Sequence, residues 1–219
     1  MIAVINYGLG NLRSVSKALE SLGAEVKVTG KAKEILKAKG VVLPGVGAFH
    51  QGIKNIRRLK LEKVIRQAVE QGKPFLGICL GMQMLFTESE EHGRHKGLDI
   101  IRGKVVKFRK VGKIPHMGWN QVKIPAIPTG NVGSGSAKIS GGKNKISLFD
   151  NISDNSYFYF VHSYYVQPTD KKVIAGTTKY GVEFTSVIHQ DNIWGVQFHP
   201  EKSSESGLKI LKNFLALIK

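Results

Sequence analysis

The chain has 219 residues, of which 42% are hydrophobic and 22% charged, and its formal net charge at pH 7 is +17. This composition is ordinary for a globular protein, and the length suits one large domain, so we expect a single domain over residues 1–219. No run is long and apolar enough to cross a bilayer, and a lone cysteine can form neither an internal disulfide nor a thiolate zinc site. We therefore expect a cytoplasmic protein with no membrane contact, no metal and no other cofactor.

The positive charge is unevenly distributed along the chain. Residues 100–149 contain ten Lys or Arg and no Asp or Glu, which predicts a basic face. Nucleic acid, a phosphorylated ligand or an acidic protein would suit such a face. A lysine-rich surface that contacts only solvent accounts for the same residues, and the charge alone does not separate these interpretations.

Short apolar runs alternate with amphipathic stretches through the first half of the chain, which is typical of a parallel sheet covered by helices on both faces. The amino terminus has no basic region and is interpreted as a first strand, not as a signal peptide. The pattern predicts strands over residues 2–6, 25–29, 40–43 and 74–78, and helices over 11–22, within 48–72, and over 80–86.

The second half of the chain predicts shorter strands, which favour an antiparallel extension of the sheet. Residues 125–145 are rich in Gly and Ser without an acid and predict a long surface loop. A closing helix over 204–218 is expected to bury Leu208, Leu211, Leu215 and Ile218. The predicted strands are 105–109, 121–124, 157–161, 173–177, 184–189 and 193–197. The fold class is therefore α/β, with a mostly parallel central sheet flanked by helices and an antiparallel extension.

The only cysteine lies in the pentapeptide Gly-Ile-Cys-Leu-Gly at residues 77–81. An apolar run precedes Cys79 and a helical pattern follows it, which predicts a sharp strand-to-helix turn of the kind that exposes a nucleophile. The amino terminus of a helix also favours the thiolate. A lone cysteine is often only a small buried hydrophobe, so the hypothesis of catalysis requires a base.

His199 is the strongest candidate for that base. The apolar strand at 194–198 delivers it to the edge of the sheet, and Glu201 follows two residues later, on the same side by strand alternation. The carboxylate would fix the tautomer of the imidazole and stabilise its charged form. His116 and His162 compete for the role, but each adjoins an apolar segment and has no acid next to it.

Two glycine-containing turns follow predicted strands. Residues 43–47, Leu-Pro-Gly-Val-Gly, could turn backbone N–H groups toward a ligand as an oxyanion hole requires, although most such sequences are plain turns. Residues 7–11, Tyr-Gly-Leu-Gly-Asn, suggest a dinucleotide-binding loop. That motif is incomplete because Arg13 occupies the position of its third glycine.

Taken together, these motifs resemble the class I glutamine amidotransferases, a flavodoxin-like family with a catalytic triad. The elbow at 77–81 and the strand end at 195–201 are general to that class. Within it, the chain most resembles the glutaminase subunits of imidazole glycerol phosphate synthases. The motifs specific to those subunits lie at residues 6–12, 44–49, 115–120 and 161–164, and the first and third argue against the class members that serve anthranilate or guanylate synthesis.

The resemblance implies that Cys79, His199 and Glu201 hydrolyse L-glutamine through a glutamyl thioester and release ammonia. It places the oxyanion between the backbone N–H of Leu80 and an amide of Val46 or Gly47. Contacts to the glutamine substrate are expected from Gly45, Gln83, Ser163 and Tyr164.

The resemblance also implies a partner, a (β/α)8-barrel cyclase subunit that forms a heterodimer with this chain and uses the ammonia in histidine biosynthesis. It implies no nucleic-acid ligand, so the basic face would meet an acidic barrel face or nothing specific. The residues expected to face the partner are Asn11, Trp119, Asn120, Tyr159 and Lys202.

Overall fold

The computed structural model describes residues 1–109, 111–124 and 147–218. The loop predicted at 125–145 lies outside the described residues. No helix in these ranges is both long enough and apolar enough to span a membrane.

The first half of the chain forms a parallel sheet with helices on both faces, as predicted. Its strands are β1 (Ile2–Ile5), β2 (Val26–Thr29), β3 (Gly40–Leu43) and β4 (Phe75–Ile78), in the spatial order β2-β1-β3-β4. All residues of β1, β3 and β4 are buried because helices cover both of their faces. The helices are α1 (Leu12–Ser21), α2 (Ala32–Lys37), α3 (Phe49–Arg58), α4 (Leu61–Glu70) and α5 (Leu80–Met84).

The sheet separates the apolar core into two layers, each covered by helices. Val15 and Leu19 of α1 pack on one face of the sheet, and Ile53 of α3 and Ile65 of α4 pack on the other. Helix α2 was not predicted from the sequence. It has six residues and buries only Ile35, so its apolar pattern is too short to show a helical period.

The second half extends the sheet with shorter strands and ends in a helix. The elements are β5 (Phe86–Ser89), β6 (His95–Lys96), β7 (Ile101–Lys107), β8 (His116–Val122), β9 (Ser156–His162), β10 (Tyr164–Pro168), β11 (Ile174–Tyr180), β12 (Val182–Gln190), β13 (Ile193–Val196) and α6 (Ser204–Ala216). Over the described ranges, eleven strands form one sheet in the order β2-β1-β3-β4-β13-β12-β10-β7-β5-β6, with β11 paired to β12. Strands β8 and β9 form a separate antiparallel ribbon. The α/β class and an antiparallel extension are thus confirmed, but the strands predicted at 121–124 and 157–161 lie in the ribbon and not in the extended sheet.

The position of β13 differs from the prediction. We expected residues 193–197 in the antiparallel extension, but β13 pairs in parallel with β4 on one side and antiparallel with β12 on the other. It therefore joins the two parts of the sheet. Its apolar sequence suits this position, since a strand between two neighbours with both faces covered is buried throughout.

The buried stripe of α6 also differs in part from the prediction. Leu208 is 38% exposed, whereas Ile210 and Phe214 are fully buried beside Leu211. The reason is the packing of Gly207, where an added Cβ would lie 1.9 Å from the Pro200 carbonyl oxygen. The face of the helix that contains Gly207 therefore points inward. Helical periodicity continues that face through residues 210, 211 and 214 and leaves residue 208 outside it.

Candidate active site

Cys79 lies at the turn between β4 and α5 in a backbone conformation that side-chain-bearing residues rarely adopt. Its φ is 52° and its ψ is −112°. The backbone N–H of Cys79 donates to the carbonyl of Val196 at 2.7 Å, and the side chain is buried. A strained conformation held by the surrounding structure is characteristic of functional sites. The predicted elbow is present.

The elbow touches the 44–47 turn backbone to backbone, and glycine makes this contact possible. A Cβ on Gly81 would lie 1.8 Å from the carbonyl oxygen of Leu43, and one on Gly45 would lie 2.6 Å from the amide nitrogen of Gly81. Both distances are far below van der Waals contact. The two glycine motifs identified in the sequence therefore form one packed unit.

His199 is held by its backbone and by its ring. Its N–H donates to the carbonyl of Tyr159 at 2.9 Å, and its Nδ1 lies 2.9 Å from Oε1 of Glu201. Both side chains are buried. Because a carboxylate accepts, Nδ1 carries the proton in this pair. Nε2 of His199 is buried without a hydrogen-bond partner in the described part of the chain, and His199 lines the same pocket as Cys79.

The charges around His199 favour its protonated form. Burial disfavours the imidazolium, but the negative charge of Cys79 and the hydrogen-bonded carboxylate of Glu201 outweigh it and raise the pKa of His199 to about 10. Burial, with a smaller contribution from Cys79, also raises the pKa of Tyr7. The His199 ring is therefore an imidazolium at neutral pH, while the nearby Tyr7 phenol stays protonated.

The 44–47 turn is anchored beneath the elbow. The Tyr7 hydroxyl donates to the Pro44 carbonyl at 2.9 Å, and both groups are buried. Gly47 has a φ of +98°, which glycine adopts without strain. Val46 and Gly47 form part of the pocket wall, whereas Gly45 is buried behind them and does not line it.

The pocket has a volume of about 260 Å³, which suits a small ligand, since drug-sized sites are typically ~300–1,000 Å³. The structure brings eight of the predicted catalytic, oxyanion and substrate residues to its wall: Val46, Gly47, Cys79, Leu80, Gln83, Ser163, Tyr164 and His199. The wall is completed by Glu91, Pro115, Val161 and His162, none of which was predicted to line the pocket.

Gln83 lines the pocket, but its side-chain amide is engaged in a buried hydrogen-bond network. Its Nε2 donates to the carbonyl of Tyr164 at 2.9 Å and to Oε1 of Gln197 at 3.0 Å. Nε2 of Gln197 in turn lies 3.5 Å from Sγ of Cys79. Gln197 was missed in the sequence, although the alternation that placed His199 and Glu201 on one side also includes residue 197.

Glu91 was also missed, and the sequence offered no signal for it. It lies in an acidic run with Glu88 and Glu90, which pair with Arg94 and Arg109 outside the pocket. Only Glu91 of the three reaches the pocket wall. Strand alternation cannot tell which of these carboxylates faces the pocket, because β5 ends and a reverse turn begins within the acidic run.

The competing histidines are placed differently from His199. His162 lines the pocket, but Nε2 of His162 lies 2.9 Å from Nδ1 of His116, and its Nδ1 lies 2.8 Å from the Tyr164 carbonyl oxygen. Burial lowers the pKa of His162 to about 3 and that of His116 to about 4. Among the described residues no carboxylate pairs with either ring, so neither ring has the environment of a catalytic base.

Three of the residues expected to face a partner, Asn11, Tyr159 and Lys202, lie beside the triad. Trp119 is 51% exposed and meets Tyr159 edge to face, and Nζ of Lys202 is 5.9 Å from the centre of the Tyr159 ring. Asn11 donates to Oε1 of Glu201 at 3.4 Å. The side chain of Asn120 is occupied internally, since its Nδ2 bonds the Lys179 carbonyl and the His116 ring.

No group of three or more His, Cys, Asp or Glu side chains within the described ranges could hold a metal ion. The shared pocket of Cys79 and His199, with the His199 ring bonded to Glu201, supports nucleophilic attack by sulfur assisted by an oriented imidazole.

Comparison with known families identifies the class. The family model for class-I glutamine amidotransferases matches residues 3–218. A crystal structure of a glutamine amidotransferase superposes with a TM-score of 0.72 at 18% identity, covering 100% of this chain and 99% of the other. The PurLQS structure from Thermotoga maritima superposes with a TM-score of 0.69 at 19% identity, covering 100% and 98%. The fold and the matched model show that the chain belongs to the class I glutamine amidotransferases.

Sequence relatives narrow the class further. The imidazole glycerol phosphate synthase subunit HisH of Methanocaldococcus jannaschii is 49% identical over 218 residues, covering 100% of both chains. The HisH subunit of Moorella thermoacetica is 48% identical, covering 100% of this chain and 95% of the relative. Within its class, the chain belongs to the HisH family.

Proposed function

We propose that this protein is the glutaminase subunit of an imidazole glycerol phosphate synthase and hydrolyses L-glutamine to glutamate and ammonia. The observation that carries the proposal is the shared pocket of Cys79 and His199, with the His199 ring bonded to the buried Glu201. The HisH relatives carry the name of the same synthase at 48–49% identity over the full length of the chain.

The reaction begins when the Cys79 thiolate attacks the side-chain amide carbon of glutamine. The carbon–nitrogen bond breaks as the His199 imidazolium gives its Nε2 proton to the leaving nitrogen, so ammonia departs and a glutamyl thioester remains. The neutral imidazole then takes a proton from water, and the hydroxide attacks the thioester. Glutamate leaves, and the thiolate and imidazolium are restored. Glu201 holds the ring in one tautomer throughout.

Each tetrahedral intermediate places a negative charge on the former amide oxygen. We assign the backbone N–H of Leu80, at the start of α5, and an amide of Val46 or Gly47 as its hydrogen-bond donors. The backbone contact between the elbow and the turn supports this assignment, because it holds both donors on one rigid unit. One such donor contributes ~3 kcal/mol to transition-state stabilisation.

The amino-acid end of the substrate requires a partner for its ammonium and its carboxylate. Glu91 supplies the anion for the ammonium, since it is the only carboxylate among the residues that line the pocket as described. Ser163 and Tyr164 contribute further wall to the same pocket. Gln83 positions the Tyr164 carbonyl, and Gly45 supports the turn from behind.

The ammonia is consumed by a (β/α)8-barrel cyclase in a heterodimer, to which it passes through a channel. The exposed Trp119 and Lys202, together with Asn11, Asn120 and Tyr159, form the proposed contact surface. In this scheme the partner also controls the glutaminase allosterically. The protein acts in the cytoplasm as a single domain. Its net charge of +17 complements an acidic face of the barrel.

The experiment that tests this proposal compares Cys79→Ala with the unchanged protein, each mixed with the cyclase subunit. We expect the variant to abolish synthesis from glutamine and to leave synthesis from added ammonium salt intact. His50→Asn, a change at an exposed histidine, serves as the matched control and should retain both activities. If Cys79→Ala loses both activities, or keeps glutamine-dependent synthesis, the division of labour proposed here is wrong.

A further inference from the structure

A continuous series of hydrogen bonds runs from Asn120 on the β8–β9 ribbon to the pocket. Asn120 Nδ2 bonds His116 Nε2 at 3.1 Å, His116 Nδ1 bonds His162 Nε2 at 2.9 Å, and His162 Nδ1 bonds the Tyr164 carbonyl at 2.8 Å. We call these four groups the histidine chain. The mechanism described above makes no use of its two imidazoles.

The contacts of Asn120 fix the direction in which hydrogen bonds are donated along the histidine chain. Asn120 Oδ1 accepts from the backbone N–H of Gln121 at 2.8 Å, and Nδ2 donates to the carbonyl of Lys179 at 3.0 Å. These two contacts determine which atom of the amide is nitrogen. The second N–H of Nδ2 therefore points at Nε2 of His116, which must be the unprotonated, accepting nitrogen of that ring.

The Tyr164 end fixes the same direction independently. A carbonyl oxygen can only accept, so Nδ1 of His162 carries a proton. His116 with a bare Nε2 carries its proton on Nδ1 and donates to Nε2 of His162. Both ends thus require the same arrangement, in which each ring is neutral and protonated on Nδ1. A second proton on either ring would set two N–H groups against each other.

The surroundings of the two rings hold this arrangement in place. His116 and His162 face each other directly across the β8–β9 ribbon, and both are buried. The His116 ring stacks on Tyr180 with centroids 4.1 Å apart and on Phe160 at 4.9 Å. These apolar contacts favour neutral rings and leave them little freedom to turn.

The Tyr164 carbonyl connects the histidine chain to the nucleophile. It accepts from Gln83 Nε2 as well as from His162, and Gln83 continues through Gln197 to Sγ of Cys79. Both N–H groups of the Gln83 amide are thereby used, so a shift of the Tyr164 carbonyl would displace Gln83 from its position beside Cys79.

We propose that His116 and His162 are positioning residues, which as neutral Nδ1–H tautomers fix the Tyr164 carbonyl and Gln83 at the glutamine pocket from the Asn120 end of the ribbon. The inference rests on the proposed glutaminase function for its kinetic consequence only. Its structural content, the two tautomers and their direction, is independent of what the pocket binds.

The first test reads the tautomers directly. In the full chain labelled with [15N]histidine, we expect two rings with a protonated Nδ1 and a bare Nε2 at pH 7.5, and an N–H···N coupling between them. The spectra of His116→Gln and His162→Asn assign the signals. A proton on Nε2 of either ring would overturn the proposal, whether or not the protein turns over glutamine.

The second test separates positioning from mere stability. His162→Leu removes the donor to Tyr164, whereas His162→Asn can keep an N–H at the position of Nδ1. With the cyclase present, we expect His162→Leu to raise the KM for glutamine about tenfold, the cost of one lost hydrogen bond, and His162→Asn to restore most of it. The rate of Cys79 alkylation by iodoacetamide should change less than twofold in both.

Equal KM values for the two variants and the unchanged protein would overturn the kinetic part. If the unchanged protein shows no glutaminase activity while the tautomers are as expected, the proposed function fails and the structural assignment of the histidine chain stands. If His162→Leu does not fold, the tautomer measurement on the unchanged chain still decides the proposal.

Discussion

Ile78 and Val196 pair directly across two parallel strands, and each is the last residue of its strand. Cys79 follows one of them immediately, and His199 follows the other by three residues. Because parallel strands present their carboxyl ends at the same edge of a sheet, this pairing alone brings together two residues 120 positions apart. The nucleophile and its base are thus positioned by the sheet.

Glu201 is expected to act through His199. Glu201→Gln removes the charge that stabilises the imidazolium and should lower the pKa of His199 from about 10, measurable by 15N NMR of the ring. We expect kcat to fall by a factor of about 10²–10⁴, since an amide no longer enforces the tautomer. Glu205→Gln, at an exposed position in the first turn of α6, is the control. An unchanged kcat in Glu201→Gln would remove Glu201 from the triad.

Glu91 is expected to bind the substrate ammonium. Glu91→Gln should raise the KM for glutamine by about 10–100-fold with a smaller change in kcat, because a hydrogen bond to a charged group contributes about 1.5–3 kcal/mol. Glu90→Gln is the matched control, since Glu90 is the neighbouring residue but pairs with Arg109 outside the pocket. Similar KM values for the two variants would show that Glu91 does not contact the ammonium.

Gly81 is expected to tolerate no side chain. In Gly81→Ala the new methyl group would overlap the Leu43 carbonyl, which should reduce the free energy of unfolding by about 3 kcal/mol and separate the elbow from the 44–47 turn. Gly112→Ala, where an added Cβ has no neighbour within 4 Å, should change it by less than about 0.5 kcal/mol. Urea denaturation measures both, and equal midpoints would contradict the packing described for the elbow.

Acid is expected to destabilise the fold between pH 7 and pH 5. His116 and His162 are neutral in the folded protein, with pKa values of about 4 and 3, but charge below about 6.5 in the unfolded chain. The contribution of these neutral rings to the stability of the fold is present above pH 6.5 and is lost as the pH falls toward their pKa values in the folded protein. The raised pKa of His199 has the opposite effect, because its imidazolium stabilises the folded protein as the pH falls. The net result is a loss of about 3 kcal/mol in the free energy of unfolding between pH 7 and pH 5.

Urea denaturation at several pH values measures this loss. The double variant His116→Gln, His162→Asn lacks both titrating rings and should show little dependence on pH in the same range. A steep loss in the double variant would assign the effect to other groups.

The elbow could be predicted from the sequence because several local signals agree there. Glycines flank Cys79 at both sides, and the apolar pattern changes from strand to helix at that residue. Likewise, His199 and Glu201 share a strand end, so alternation alone puts them on one side. Such predictions succeed because they depend on residues near each other in the chain.

The remainder of the site depends on contacts that local patterns do not encode. The hydrogen bond between His116 and His162 requires the register of β8 against β9. The two histidines are 46 positions apart in the chain. The parallel placement of β13 beside β4 and the inward position of Glu91 are set in the same way by tertiary packing. Apolar periodicity identifies which residues are buried but not which strands become neighbours.

The backbone of Cys79 has a consequence for how this protein tolerates change. At a φ of 52° and a ψ of −112°, glycine would fit the turn with less strain than the cysteine does. A replacement that relieves strain at the centre of the site is therefore also an inactivating one. Selection for thermal stability alone would tend to replace Cys79 and so remove the activity, because stability and catalysis favour different residues at this position.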